Sequence, residues 1–267
     1  GVDGLLSMLS DRVDAELLDA CPRLRVVSNY AVGFDNLDLA AASARGVLLT
    51  NTPEVLTRST AELAWALILA CARRVLEGDL LVRSGRFDGW NPMLLLGSAL
   101  GGRTLGIVGP GRIGRTVARI GRGFGMKVLI TGRGDGRAGL ARLLEASDVV
   151  SLHIPLTPAT RHLIGRRELA RMKPSAILVN TARGPVVDEE ALVEALKSGR
   201  LGAAGLDVYE REPRLARGLA RLPNAVLLPH LGSATAEARR AMALRAAANL
   251  IRALSGLRPR DLLKARK

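Results

Sequence analysis

The segment TLGIVGPGRIGRTVARIGRGFGMKVLITGR, residues 104–133, constrains the chain more than any other. An apolar run over 104–108 predicts a strand that enters Gly109, Gly111 and Gly114. An amphipathic helical pattern follows, and a second apolar run at 128–131 predicts the next strand. Strand, glycine turn, helix and strand are the setting in which a G-x-G-x-x-G sequence binds a dinucleotide. Gly109 permits the tight turn, Gly111 lets backbone N–H groups approach a pyrophosphate, and Gly114 lets the helix lie close to the strand. The helix start at Arg112 and Ile113 turns the positive end of its dipole toward the phosphates.

Downstream, apolar runs at 149–153, 176–180, 205–208 and 226–228 alternate with helical patterns, which predicts a doubly wound parallel sheet. Upstream, short strands are expected at 4–8, 24–28 and 47–50, with a helix over 11–20 that Asp11 would cap. A strongly apolar helix is expected over 60–74, then a glycine- and proline-rich connection over 85–102. These readings place one domain at 1–98, the dinucleotide-binding domain at 99–232, and an amphipathic helix within 233–267 that returns to the first domain. After Thr131 the chain carries glycines at 132, 134, 136 and 139, which argue for a loop and leave no room for a normal strand.

At 267 residues and 48% apolar residues the chain can bury a substantial core. Its net charge of +14 raises the question of nucleic acid. The surplus arginines, such as Arg115, Arg119, Arg122, Arg166, Arg167, Arg239 and Arg240, are spread over helical surfaces. Aromatic residues for base stacking make up only 3% of the chain, so nucleic acid is not expected. The charge favours small anions instead. Two distant cysteines, Cys21 and Cys71, have no metal-ligand spacing. A cytoplasmic setting without metal is therefore expected. The longest uncharged apolar stretch, 63–72, is about half of what a membrane span needs, so no membrane partner is expected either.

The end of the strand at 128–131 bears on cofactor choice. NAD-dependent folds place Asp or Glu there to accept hydrogen bonds from the ribose. Here the chain reads Thr131, Gly132, Arg133, with Asp135 two residues further on. Arg133 suits a 2′-phosphate, so NADP is expected over NAD.

Strand ends in such a sheet deliver side chains to the ligand crevice. Arg183 follows AILVN, Glu212 follows GLDVY, and His230 follows AVLLP. Together they suit reduction of a 2-oxo acid. A guanidinium fork grips a carboxylate and polarises the neighbouring carbonyl. An imidazole donates the proton that the reduced oxygen takes up, and a carboxylate beside it orients the ring and favours its protonated form. His153 and His162 read as a strand-end packing residue and a surface residue.

The motifs NYAVGFDNLDL, NTPEVLTRSTAELAWALIL, GIVGPGRIG, SDVVSLHIPLTPATRHLI, MKPSAILVNTARGPVVDEEALVEAL, AGLDVYEREP and LLPHLGSAT run in order along nearly the whole chain. In them the chain resembles the D-isomer-specific 2-hydroxyacid dehydrogenase family, and GRFDGWNPMLLLG resembles its glyoxylate and hydroxypyruvate reductase branch. The resemblance implies a Rossmann-like dinucleotide domain beside a smaller flavodoxin-like α/β substrate domain, with the active site in the cleft between them. It implies a catalytic set of Arg183, Glu212 and His230, and backbone N–H groups of Val32 and Gly33 on the substrate carboxylate. Thr181, Ala182, Asp207, Gly232 and Ser233 would line the nicotinamide, and Pro155 would lie near the adenine side. It further implies a homodimer in which Trp90 reaches the partner's substrate site. Members of this family begin earlier, with a first strand and helix, so the substrate domain is expected to be N-terminally incomplete here. A corepressor-like binding protein that senses dinucleotide, or an inactive remnant of the same fold, remains an alternative.

Overall fold

The computed structural model describes residues 1–264. By their internal contacts these residues form two compact units, Gly1–Ser59 with Ser233 onward, and Thr60–Gly232. The first unit holds β1 (Gly4–Ser7), α1 (Ala15–Ala20), β2 (Val26–Asn29), α2 (Leu39–Ala44) and β3 (Leu48–Thr50). Helix α3 (Thr57–Ala72) begins in it and continues into the second unit. There follow α4 (Val75–Arg83), β4 (Thr104–Val108), α5 (Arg112–Gly123), β5 (Lys127–Thr131), α6 (Gly136–Ala146), β6 (Val149–Leu152), α7 (Arg166–Leu169) and β7 (Ile177–Asn180). Then come α8 (Glu189–Lys197), β8 (Ala203–Leu206) and β9 (Ala225–Leu227), and α9 (Ala236–Leu254) belongs again to the first unit.

In the first unit β1, β2 and β3 pair in parallel, with Val26 opposite Gly4 on one side and Leu48 on the other. A core of Val13, Leu18, Leu24, Val27, Leu37 and Leu49 fills one face. Helix α9 packs against the sheet, and a Cβ on Gly4 would stand 3.0 Å from Leu250, so the small residue permits that approach. Ser28 Oγ donates to the carbonyl of Ala246 at 2.8 Å, so a buried hydroxyl is satisfied across the two layers. The cap of α1 differs from expectation. Asp14, not Asp11, accepts the N–H of Leu17 at 3.2 Å, while Asp11 accepts Met8 N–H at 2.7 Å in the preceding turn. Both are short acids suited to capping, and the hydrophobic register alone does not separate them.

The second unit carries a six-stranded parallel sheet in the order β5-β4-β6-β7-β8-β9. Strands β6 and β7 are buried throughout, as expected for a sheet covered on both faces. One face packs Leu140, Leu143, Leu144, Val150, Leu178 and Leu192; the other packs Trp65, Leu67, Ile68, Leu105, Ile107 and Val117. The chain leaves β4 for β5 on one side and crosses back to β6 on the other. The switch point therefore lies at the carboxyl ends of β4 and β6, where doubly wound sheets open a crevice for ligands.

Three features differ from, or extend, the sequence reading. Val75–Arg83 forms a helix that the glycine in VLEGDLLVR disguised, and it buries none of its residues. Residues 60–98, read from sequence as part of the first domain, group by contact with the second unit. The missing strand after β5 is replaced by a short 3-10 turn at Arg133–Asp135 that leads straight into α6. No described helix is long and apolar enough to cross a membrane.

Candidate active site

The glycine turn at the end of β4 has the geometry that its three glycines predict. Gly109 sits at φ 108°, and a Cβ there would run into the carbonyl of His153. A Cβ on Gly114 would meet the carbonyl of Gly109, so the helix lies as close as glycine allows. Gly111 is the N-cap of α5, with no side chain bonded into the cap, and a Cβ on it would point into open space. The first N–H groups of α5 therefore have no capping side chain, and the backbone before them is bare. That arrangement suits a pyrophosphate. Arg112 and Ile113 open the helix.

At the end of β5 the Asp135 carboxylate folds back onto the turn. Its Oδ2 accepts Gly132 N–H at 2.8 Å and the Thr131 hydroxyl at 3.3 Å. Arg133 stands exposed between them. Pro155 follows β6 in an open loop. Beside it, burial pushes the His153 imidazole down to about 3, and its Nε2 lies 2.9 Å from Ser151 Oγ. His153 is thus a neutral packing residue, as its place at a strand end suggested.

The turn after β7 carries Arg183. Buried Asn180 shapes it, accepting Ala182 N–H at 3.0 Å and donating to the Arg183 carbonyl at 2.9 Å. The guanidinium donates to the Ala182 carbonyl at 2.7 Å. Thr181 is 9% exposed, and its hydroxyl has no protein partner, which fits a ligand-facing donor at this strand end. Gly184 has no room for a side chain, because a Cβ would overlap the backbone of Tyr209. The Arg183 turn and the segment after β8 are therefore pressed together.

That segment carries Glu212, whose two oxygens divide their work. Oε1 accepts Tyr209 N–H at 3.0 Å, and Oε2 takes the hydrogen bond of His230 Nδ1 at 3.1 Å. Burial raises the Glu212 carboxyl. The bonds from His230 and Tyr209 and the charges of His230 and Arg183 outweigh it and hold the group below the usual carboxylate range. The charge of Arg183 is thus felt at the Glu212–His230 pair.

His230 takes a left-handed backbone conformation at φ 58°, uncommon for a residue with a side chain. Asp207, 1% exposed, holds it there. The Asp207 carbonyl accepts His230 N–H at 3.0 Å, and its carboxylate accepts Leu231 N–H at 2.6 Å and Gly232 N–H at 2.8 Å. Burial, the largest influence, pushes this carboxyl up, against those two donors. Backbone strain of this kind persists only where neighbours over-determine it. With Nδ1 engaged by Glu212, the Nε2 edge is the one that can pass on a proton.

The sequence-predicted residues Arg183, Asp207, Glu212, His230 and Gly232 are thus brought together at the ends of β7, β8 and β9. Val32 and Gly33 lie in the first unit, in the loop after β2. Their carbonyls accept Asn51 Nδ2 at 2.8 Å and Asn29 Nδ2 at 3.0 Å, which sets the turn of that loop. Ser233 opens the chain's return to the first unit. Trp90 is 84% exposed, in an arm away from any core. Sequence reasoning missed Asn180 and Glu189. The latter sits beside the N-cap of α8 and looks like an ordinary first-turn acid.

A doubly wound parallel sheet with a bare glycine turn at its switch point, and a carboxylate–histidine pair at its later strand ends, defines a dinucleotide-dependent oxidoreductase. The sequence profile of the D-isomer specific 2-hydroxyacid dehydrogenase NAD binding domain matches residues 65–232. A glyoxylate reductase of Thermococcus litoralis is 49% identical, the alignment covering 98% of this chain and 83% of the relative. The crystal structure of the TT0316 protein of Thermus thermophilus superposes with a TM-score of 0.94 at 49% identity, covering 98% of this chain and 86% of that one. An NADPH-dependent glyoxylate/hydroxypyruvate reductase of Sinorhizobium meliloti, solved with NADP and malonate, gives 0.90 at 35% identity over 100% of this chain and 86% of that one. The chain belongs to the D-isomer specific 2-hydroxyacid dehydrogenase family, and the second unit contains its nicotinamide-dinucleotide-binding domain.

Proposed function

We propose that this protein reduces glyoxylate or hydroxypyruvate to the corresponding D-2-hydroxy acid, with NADPH preferred over NADH. The observation that carries the chemistry is the Glu212–His230 hydrogen bond, set on a histidine whose backbone Asp207 locks in place. Its support is the reductase names of relatives at about half identity. When bound, the nicotinamide supplies the hydride. Arg183 holds the substrate carboxylate and draws electron density from the carbonyl oxygen. His230 gives that oxygen a proton from Nε2. Glu212 keeps the ring oriented through its bond to Nδ1, so that Nε2 faces the substrate oxygen. Thr181, Ala182, Asp207, Gly232 and Ser233 would face the nicotinamide, and Pro155 the adenine side.

The cofactor preference rests on the end of β5. The acid that follows it in sequence, Asp135, is occupied by Gly132 N–H and the Thr131 hydroxyl, whereas Arg133 is exposed and suited to a 2′-phosphate. The relative solved with NADP is in keeping with this. We further infer a homodimer formed through α4 and the arm over 84–98. These expose Leu80, Val82, Trp90, Met93 and Leu96 along one stretch of chain, and clustered exposed apolar side chains of this kind mark association surfaces.

Steady-state oxidation of NADPH and NADH with glyoxylate, hydroxypyruvate and pyruvate tests the reading. Glyoxylate and hydroxypyruvate should be turned over, faster with NADPH, and Arg133→Asp should move the cofactor ratio toward NADH by about tenfold or more, the worth of one charged contact. Cofactor binding without turnover of any 2-oxo acid would favour the dinucleotide-sensing or inactive reading. An unchanged ratio in Arg133→Asp would remove its phosphate role.

A further inference from the structure

We propose that Glu189 is a positioning residue that holds the Glu212 loop against His230. The inference rests on the reading above, in which Glu212 acts through His230.

Glu189 is the first residue of α8 and is only 5% exposed. An acid at that place ordinarily faces water and favours the helix by its charge alone. Its neighbour Glu190 does so and is exposed. Glu189 turns away from its own helix. Its Oε2 accepts Glu210 N–H at 2.7 Å, and its Oε1 accepts Ala216 N–H at 2.7 Å. These two amides bracket Glu212, so a single carboxylate ties both limbs of the loop that carries it. Helix α8 itself is capped by Asp188, which accepts Ala191 N–H at 3.0 Å. Glu189 is thereby left for the loop.

The tie is reciprocal. Glu210 Oε2 accepts Glu189 N–H at 3.3 Å, and Glu210 Oε1 pairs with His162 Nε2 at 2.8 Å. Glu210 therefore joins α8, His162 and the Glu212 loop. His162 is then more than a surface residue: its backbone, at φ 50°, donates to the Pro185 carbonyl at 2.8 Å, two residues from Arg183.

The arrangement parallels that on the histidine side. Asp207 spends its carboxylate on Leu231 and Gly232 N–H and so fixes the His230 backbone. Glu189 spends its own on Glu210 and Ala216 N–H and so fixes the Glu212 backbone. A 3.1 Å contact between two side chains on separate loops needs both loops held. Precise placement of the acid–base pair is what makes general catalysis effective.

The test is a double-mutant cycle with Glu189→Gln and Glu212→Gln in the full chain, with Glu190→Gln as a control. Gln keeps the volume of Glu189 but offers one acceptor where two N–H groups need one each. Glu189→Gln should lower kcat for glyoxylate about tenfold, the worth of one charge-assisted hydrogen bond. KM for NADPH should stay unchanged, and the pH profile of kcat should move in the same direction as in Glu212→Gln. Amide hydrogen exchange should quicken at Glu210 and Ala216 and not in the β4–α5 turn. In the Glu212→Gln background the further change should have no effect on kcat, because the group it positions is gone. Glu190→Gln should behave as the wild type.

A full kcat for Glu189→Gln, an undiminished loss in the Glu212→Gln background, or an equal loss of NADPH affinity would each overturn the proposal. A Glu212→Gln variant with wild-type kcat and pH profile would instead overturn the role of Glu212, which separates the two failures.

Discussion

Replacing His230 with alanine should lower kcat for glyoxylate about 100- to 10,000-fold, the range for removing a positioned general acid. NADPH affinity should be retained. The ring touches Glu212 through Nδ1, and its backbone is fixed by Asp207, so only the Nε2 edge remains for chemistry. The glycine turn and the start of α5 do not depend on the imidazole. The loss should therefore fall on kcat in steady-state kinetics, with fluorescence titration of NADPH unaltered. Equal losses in both would make His230 a cofactor-binding or folding residue. The charge of Glu212 adds a sign. Its carboxyl is held below the usual range, so its ionised form and its bond to His230 persist below the ordinary carboxylate value. That support is lost only as pH falls through the lowered one. The acid limb of the activity profile should thus not collapse at the ordinary carboxylate value.

Arg183→Met should reduce kcat/KM for glyoxylate by roughly 100- to 1,000-fold, corresponding to about 3–4 kcal/mol for loss of one partner of a hydrogen-bonded charge pair. Methionine keeps the length of the side chain and removes the charge and the fork. Arg183→Lys should recover only part of the loss, because an ammonium is a point charge and cannot grip a carboxylate with two parallel bonds. The turn itself should survive, since Asn180 fixes it through backbone groups of residues 182 and 183. Steady-state kinetics with glyoxylate checks this. A loss confined to KM for NADPH would place Arg183 at the cofactor and not at the substrate.

Much of the fold is legible in the sequence because parallel strands covered on both faces are continuous apolar runs. Thr104–Val108 is bounded as its pattern predicts, and the run at 177–180 is buried throughout. The absence of a strand between Thr131 and α6 is equally readable, since the four residues between them include Gly132 and Gly134 and leave nothing for a sheet to hold, whereas Gly136 and Gly139, which read as loop, are taken up in α6. Other features are set by tertiary contact and leave no local mark. The apolar pattern of α3 reads the same whichever core receives it. Helix α4 buries no side chain, and the glycine inside VLEGDLLVR interrupts its pattern. Asp11 and Asp14 are equal as caps until the backbone is placed. At the site, Arg183, Glu212 and His230 could be found because strand ends deliver residues to a crevice. Glu189 could not, because an acid at the start of a helix is the commonest of patterns, and only the fold brings Glu210 and Ala216 within its reach.

Rapid mixing of NADPH-loaded protein with excess glyoxylate, while nicotinamide absorbance and glycolate are both followed, shows whether the hydride reaches the 2-oxo acid and whether His230 supplies the proton. The wild type should form one glycolate for each NADPH consumed, and His230→Ala should bind NADPH as tightly yet consume it at least a hundredfold more slowly, at the low end of a general acid's contribution, about 100-fold. Wild-type protein that binds NADPH and leaves it unoxidised by glyoxylate would rule out glyoxylate reduction, and a His230→Ala variant that consumes NADPH at the wild-type rate would rule out His230 as the proton donor.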